Sequence, residues 1–206
     1  MGDLPLTLLT ATVWAYWLGV GRMIVRVRRA VPRSGGPATE RRIERRFMWM
    51  LWVPLVAAWV VLPYLALTRI DGIVALPAFA TQNAAYSAVR WVAAVVGLAC
   101  LAATIRCWRR MGRNWRMDVS AATKTDLITD GPFRRIRHPI YAFSILLILC
   151  SVAIVPTLPM LAVAIVHSVL MNWKARSEER YLAACHGDAY RCYVARTGRF
   201  FPRPRP

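Results

Sequence analysis

The sequence predicts an all-α integral membrane protein: five transmembrane helices, the last two forming a short helical hairpin, followed by a cytoplasmic C-terminal helical cap. Three observations predict it. Hydrophobic residues make up 57% of the 206 positions and charged ones only 18%, too apolar for an ordinary soluble domain of this length. Mean hydropathy is +0.38, and the apolar residues gather into long uncharged runs. Nearly all of the 28 Lys and Arg residues fall between those runs, which argues against a nucleic-acid-binding role for the formal charge of +18.

The first run, Leu4 to Gly21, holds 18 residues, or ~27 Å of helix, just enough to span. Asp3 stands before it where a signal peptide would be basic, and no small-residue cleavage site follows, so no cleavable leader is expected. Residues 22–46 carry nine Arg and a loop-forming Pro-Arg-Ser-Gly-Gly-Pro stretch, with a short interfacial helix expected over Thr39 to Arg46. The second run, Phe47 to Leu67, is a span in which Pro54 and Pro63 are tolerated and expected to kink the helix. Thr68 to Tyr86 reads as a short external loop. The third span is Ser87 to Ile105, with Arg90 near its outer end, where it is expected to snorkel.

Arg106 to His138 is a second basic loop with nine Lys or Arg. The fourth span, Ile140 to Val155, has only 16 residues, about 24 Å of helix. Pro156 and Pro159 make an uncharged turn into a short fifth span, Met160 to Trp173. Two such helices are expected to tilt, or to sit where the bilayer thins. From Lys174 the chain is polar, with one helix expected to about His186, a second from Asp188 to Arg196, and a Pro/Arg tail.

Orientation follows from charge. Residues 22–46, 106–138 and 174–206 carry nine, nine and eight Lys or Arg, 26 of the 28, while the two loops on the opposite side carry one. The positive-inside rule then places the N-terminus outside and the C-terminus in the cytoplasm. The Arg/Ala/Val-rich composition suits a bacterial inner membrane. Two parts are expected: a three-span region over 1–105 and a core carrying the chemistry over 106–206. The five Cys and three His show neither a disulfide framework nor metal-site spacing, so no metal is expected.

The stretch Gly131 to Tyr141 organises the second part. Pro139 suits the first position of a helix, and His138 before it is pushed toward extended backbone and sits at the cap. A basic strap therefore closes onto the N-terminus of the fourth span, where free N–H groups and the helix dipole favour an anionic guest. Because the last two spans are antiparallel, Arg137, His138 and Tyr141 are expected near Asn172, Lys174, Arg176, Glu178 and Glu179. Taken alone, the strap arginines are ordinary positive-inside charge, and the two glutamates ordinary helix charges.

Taken together, these residues resemble the isoprenylcysteine carboxyl methyltransferase family, whose wider group includes the membrane phospholipid N-methyltransferases. The resemblance rests on Gly131-Pro132-Phe133, Arg137-His138-Pro139-Ile140-Tyr141, an apolar hairpin, Glu178-Glu179, His186-Gly187-Asp188-Ala189-Tyr190-Arg191-Cys192-Tyr193 and Arg199-Phe200-Phe201-Pro202. It covers roughly residues 106 to 203. It implies S-adenosylmethionine as methyl donor, with His138, Pro139 and Tyr141 in the cofactor pocket and Glu178 and Glu179 as the acidic pair beside it. Asn114-Trp115 resembles a loop signature of bacterial members. Lys174 stands where eukaryotic members have an arginine near the substrate carboxylate, with Arg176 two residues on. His186 stands where phenylalanine is usual, and Phe133 where tyrosine is common, so the acceptor stays open.

On that resemblance, Arg137 and the helix N-terminus suit the donor's α-carboxylate, Glu178 or Glu179 its ammonium or ribose hydroxyls, and Leu127, Ile128 and Tyr141 its adenine. Lys174, Arg176 and Glu178 form the candidate catalytic set. Asn114, Trp115, Asn172 and Trp173 are candidate substrate contacts for a lipidic or prenylated acceptor entering from the bilayer. The expected reaction is O-methylation of a prenylcysteine-type carboxylate, with phospholipid N-methylation as an alternative. A non-catalytic scaffold binding anionic lipid is the alternative from another class. His167, mid-span, is expected to be a hydrogen-bonded packing residue, and Tyr190, Tyr193 and Phe200 a packing face.

Overall fold

The computed structural model describes residues 3–30, 39–68, 72–112 and 127–203, with the side chains at 28, 30 and 39–48 excepted. Among them six α-helices and a short 3₁₀ turn account for nearly all regular structure. The helices are α1 (Leu4–Ala30), α2 (Thr39–Leu67), α3 (Ala78–Gln82), α4 (Ala84–Met111), α5 (Pro139–Ile154) and α6 (Leu158–Arg196). Four of them, α1, α2, α4 and α6, contain stretches long and apolar enough to cross a membrane, and α5 is a shorter apolar helix. No strand occurs among the described residues.

The apolar runs fold as expected, but the helices outrun them. α1 continues through the basic residues to Ala30, and α2 begins at Thr39, so the expected interfacial helix is the first part of α2 itself. Pro54 and Pro63 lie inside a continuous helix. The loop after α2 holds α3, and Pro159 falls in the first turn of α6, where a missing N–H costs nothing. Thr157 caps that helix by accepting a hydrogen bond from the Met160 N–H at 3.4 Å.

Two expectations are corrected. The first concerns Arg90, which does not snorkel. It is buried, and its guanidinium donates to Asp3 Oδ2 at 2.6 Å, to the Ala80 carbonyl at 3.2 Å and to the Ile154 carbonyl at 3.3 Å. Satisfying three acceptors from the chain outweighs exposing the head group. The second concerns Lys174, where no helix boundary falls. Lys-Ala-Arg-Ser-Glu-Glu-Arg contains no breaker, so the membrane helix runs on as a polar one. The break comes at Gly187, with φ +52 and ψ −124, conformations that a side chain disfavours. The expected division between His186 and Asp188 is therefore where the helix bends.

The five long helices close a ring, each packing on the next in the order α1, α2, α6, α5, α4. Its core holds Leu6, Leu9, Val13, Trp59, Leu147, Ile148, Ile154 and Met160, all fully buried. Two short links pair polar side chains inside it. Trp59 Nε1 donates to Ser151 Oγ at 2.9 Å, and His167 Nε2 pairs with Ser144 Oγ at 2.8 Å with its ring against Trp59. His167 is thus a hydrogen-bonded packing residue, as expected. One end of the ring carries the site.

Candidate active site

The strap is built from the backbone outward. Gly131–Arg134 forms the 3₁₀ turn, and Ile136 then pairs with Gly198 in an isolated parallel bridge. Arg137 N–H donates to the Gly198 carbonyl at 2.8 Å, His138 N–H to the Arg199 carbonyl at 3.1 Å, and Gly198 N–H to the Arg135 carbonyl at 3.1 Å. Pro139 opens α5 with His138 at the cap position. The C-terminal tail therefore pins the strap against the N-terminus of α5. Tyr193 strengthens the join, donating to the Phe133 carbonyl at 2.6 Å.

Strap, tail and α6 meet over the two glutamates. Glu179 accepts from Arg137 Nε at 3.0 Å and from Arg199, whose Nη2 and Nε lie 2.5 and 3.1 Å from Oε2. Arg199 Nη1 also reaches Asn172 Oδ1 at 3.2 Å. Glu178 accepts from the Tyr141 hydroxyl. His138, 6% exposed, stands between the pair, with Nδ1 3.6 Å from Glu178 and Nε2 3.4 Å from Glu179. Its ring lies parallel to that of Tyr141, and the Lys174 ammonium stands 6.0 Å from the Tyr141 ring centre.

The electrostatics follow from this packing. Burial alone raises both carboxyls, but the contrary terms win. His138, Arg199 and Arg137 hold Glu179 far below the usual carboxylate range, and His138, Lys174 and Tyr141 hold Glu178 below it too. Burial alone would lower His138, yet the two glutamates raise it above its ordinary value of 6.5. The site is a compact network of charges, each stabilised by its neighbours.

Beside this network lies an open cleft of about 680 Å³ between the two arms of α6 and the tail. Trp173, Arg176, Glu179, Arg180 and Ala183 line it from one arm, Tyr190, Arg191 and Val194 from the other, and Arg199 from the tail. Of the residues expected from sequence, Arg137, His138, Tyr141, Lys174, Glu178, Glu179 and, through Arg199, Asn172 come together in the network. Trp173, Arg176 and Glu179 face the cleft. Pro139 is buried under the strap, and Leu127 is half-buried in the chain leading to it, with no described contact to the network. Asn114 and Trp115 lie outside the described residues.

Sequence reasoning gave no role to Arg199, Thr197 or Gly198. Thr197 accepts from Arg137 through its carbonyl. A Cβ on Gly198 would sit 1.7 Å from the Phe201 carbonyl oxygen, so only glycine fits there. The signal available was the surplus of two adjacent glutamates, which called for more than one cationic partner. Among the described residues, no group of three or more His, Cys, Asp or Glu could hold a metal ion.

Fold and site together define a polytopic helical membrane protein whose last two long helices carry a charged network and a cleft at one end. Residues 94–184 match the family model described as isoprenylcysteine carboxyl methyltransferase (ICMT), which bears out the resemblance read from the motifs. The cobalt-zinc-cadmium resistance protein CzcN of Cupriavidus metallidurans is 34% identical over 95 residues, covering 45% of this chain and 44% of that protein. The chain thus matches less than half the length of that relative. The family match takes in Arg137 to Glu179 and stops before the Gly187 bend, so the tail contacts are learned from the structure.

Proposed function

We propose that the protein transfers a methyl group from S-adenosylmethionine to a lipophilic acceptor at the cytoplasmic face of a bacterial inner membrane, most specifically to a prenylcysteine-type carboxylate. The single observation that carries this is the meeting of the strap, through Arg137 and His138, with Tyr141 and the Glu178–Glu179 pair beside a cleft. Supporting it, the cleft has the donor's chemistry in complement. Its volume falls within the range for small-molecule sites, about 300–1,000 Å³. Trp173 and Val194 offer adenine an apolar and aromatic wall, Arg176 and Arg180 offer a carboxylate its counter-charge, and Glu179 offers negative charge to an ammonium or a sulfonium. Arg137, which the sequence offers to the donor's carboxylate, is engaged with Glu179 and tail carbonyls, so that role passes mainly to the cleft arginines.

When bound, the donor supplies an electrophilic methyl, whose bond to sulfur breaks as a bond to the acceptor oxygen forms and a neutral thioether leaves. A carboxylate acceptor has no proton to lose, so the protein needs no general base. Its residues have to align the two partners and exclude water, an effect worth up to about 7–11 kcal/mol in well-oriented cases. Lys174 and Arg176 orient the acceptor's carboxylate, Glu178 and Tyr141 fix the donor, and Asn172 and Trp173 flank the entry from the bilayer. Arg176 and Arg180, the cleft arginines outside the described ion pairs, favour an anionic acceptor over an amine.

In this reading five spans are crossed, α5 tilting to do so, with the N-terminus outside and residues 106–206 carrying the chemistry that 1–105 wall in. The test is calorimetric titration of purified protein with S-adenosylhomocysteine. Binding is expected for the wild type, with a loss of about tenfold or more in His138→Ala and Glu178→Ala, each removing a charged hydrogen-bonding partner. No binding by the wild type would sink the donor reading. Methyl incorporation into a farnesylated cysteine analogue rather than phosphatidylethanolamine tests the acceptor.

A further inference from the structure

α6 runs from its apolar first half into the cleft with no break before Gly187. At about 3.6 residues per turn, Leu161, Ile165, Val169, Trp173, Arg176 and Arg180 fall within about a third of its circumference. All of them are exposed. Met160, Val163, His167 and Met171 take the opposite side and are buried in the ring.

The exposed side changes in character along the helix. Leu161, Ile165 and Val169 lie in the uncharged stretch, about 18 Å of helix from Leu161 to Trp173. Trp173 ends that stretch, an aromatic residue of the kind favoured at a membrane–water interface. Arg176 and Arg180 follow, outside the described ion pairs. The order is that of an amphiphile laid along the helix: chain, interface, anion. Lipid-facing sides of membrane helices commonly share it. What sets α6 apart is that Trp173, Arg176 and Arg180 also line the cleft. On α4, Val92 and Val95 are just as exposed, yet none of the described cleft residues belongs to that helix. A head group held in the cleft leaves its chain at the mouth, and this side of α6 is the wall that continues from there into the bilayer.

We propose that the Leu161, Ile165 and Val169 face of α6 binds the apolar chain of the methyl acceptor, while the acceptor's anionic head sits beyond Trp173, beside Arg176. This deepens the acceptor reading above and rests on it. The acceptor is an anionic amphiphile whose chain stays in the bilayer, along one helix, as its head reacts.

The probe is a farnesylated cysteine analogue with a diazirine at the far end of its chain, added to the full-length protein in nanodiscs with S-adenosylhomocysteine. On irradiation the label is expected within residues 161–169, and an excess of the unmodified analogue should remove it. Label spread over α4 and α6 alike, or left in place by the competitor, would mean that bilayer lipid alone covers this face and would overturn the proposal. Kinetics supply a second measurement. Ile165→Ala combined with Val169→Ala should raise KM for the farnesylated analogue about threefold, the scale of lost packing between groups within lipid. The same variant should keep the wild-type kcat and the wild-type affinity for S-adenosylhomocysteine. Val92→Ala combined with Val95→Ala removes as exposed a pair from α4 and should change none of the three. Equal effects of the two double variants on KM would overturn the proposal. Wild-type protein that binds S-adenosylhomocysteine but methylates no farnesylated analogue removes the acceptor reading and this proposal together. Methylation with the label on other helices removes this proposal alone.

Discussion

His138 stands between two carboxylates, and the sign of each shift fixes a pH window. Glu178 and Glu179 are held below their ordinary 4.5, so their pairing stabilises the fold above that value and is lost as pH falls through the lowered ones. His138 is raised above 6.5, so its contribution is complete below 6.5 and fades as pH rises through the folded value. Thermal unfolding of the protein in nanodiscs should therefore show the network's largest contribution between 4.5 and 6.5. In His138→Ala the decline on the alkaline side should flatten. A curve with an unchanged alkaline limb would mean that His138 is neutral in the fold. Glu179 is the keystone of the network, because one carboxylate joins strap, tail and α6. Arg199→Ala should consequently raise the pH at which acid unfolding begins, and Arg199→Lys should recover part of the difference.

The elements that position these side chains are the strap, the tail and α6. Motif spacing in the sequence brings the strap and the glutamates together, because an antiparallel hairpin must return near its start. It gives no comparable handle on the tail. The bridge between Ile136 and Gly198 links positions 62 residues apart through backbone groups, which carry no side-chain signature. Gly198→Ala should detach the tail, since a methyl has no room beside the Phe201 carbonyl. Limited proteolysis is expected to cut the variant near its C-terminus under conditions that leave the wild type whole. Gly187→Ala meets open space but a strained backbone, and a loss of about 1–3 kcal/mol in unfolding free energy is expected. Substituting alanine at both glycines thus separates two causes, crowding and conformation.

The molecule as a whole is clasped at the end opposite the site. Arg90 joins Asp3 at the start of α1 to the α3 carbonyl of Ala80 and the end of α5. Asp3→Ala leaves that guanidinium buried without its counter-charge and should cost about 3 kcal/mol, read from unfolding in detergent. Replacing Arg90 by Met in the same variant should restore much of it. The orientation proposed from charge predicts that a reporter fused after Pro206 is cytoplasmic, and an extracellular signal would reverse the molecule.

The sequence by itself determined that this is a helical membrane protein, where its apolar runs lie, and that the strap and the glutamate pair belong together. Those facts are carried by local composition and by motifs on two neighbouring helices. Only the tertiary structure decided that Arg90 is a buried clasp and that Arg199 from the tail completes the glutamate network. Each of these depends on which groups far apart in the chain satisfy one another's charges and hydrogen bonds, and that pairing exists only once the ring of helices has closed.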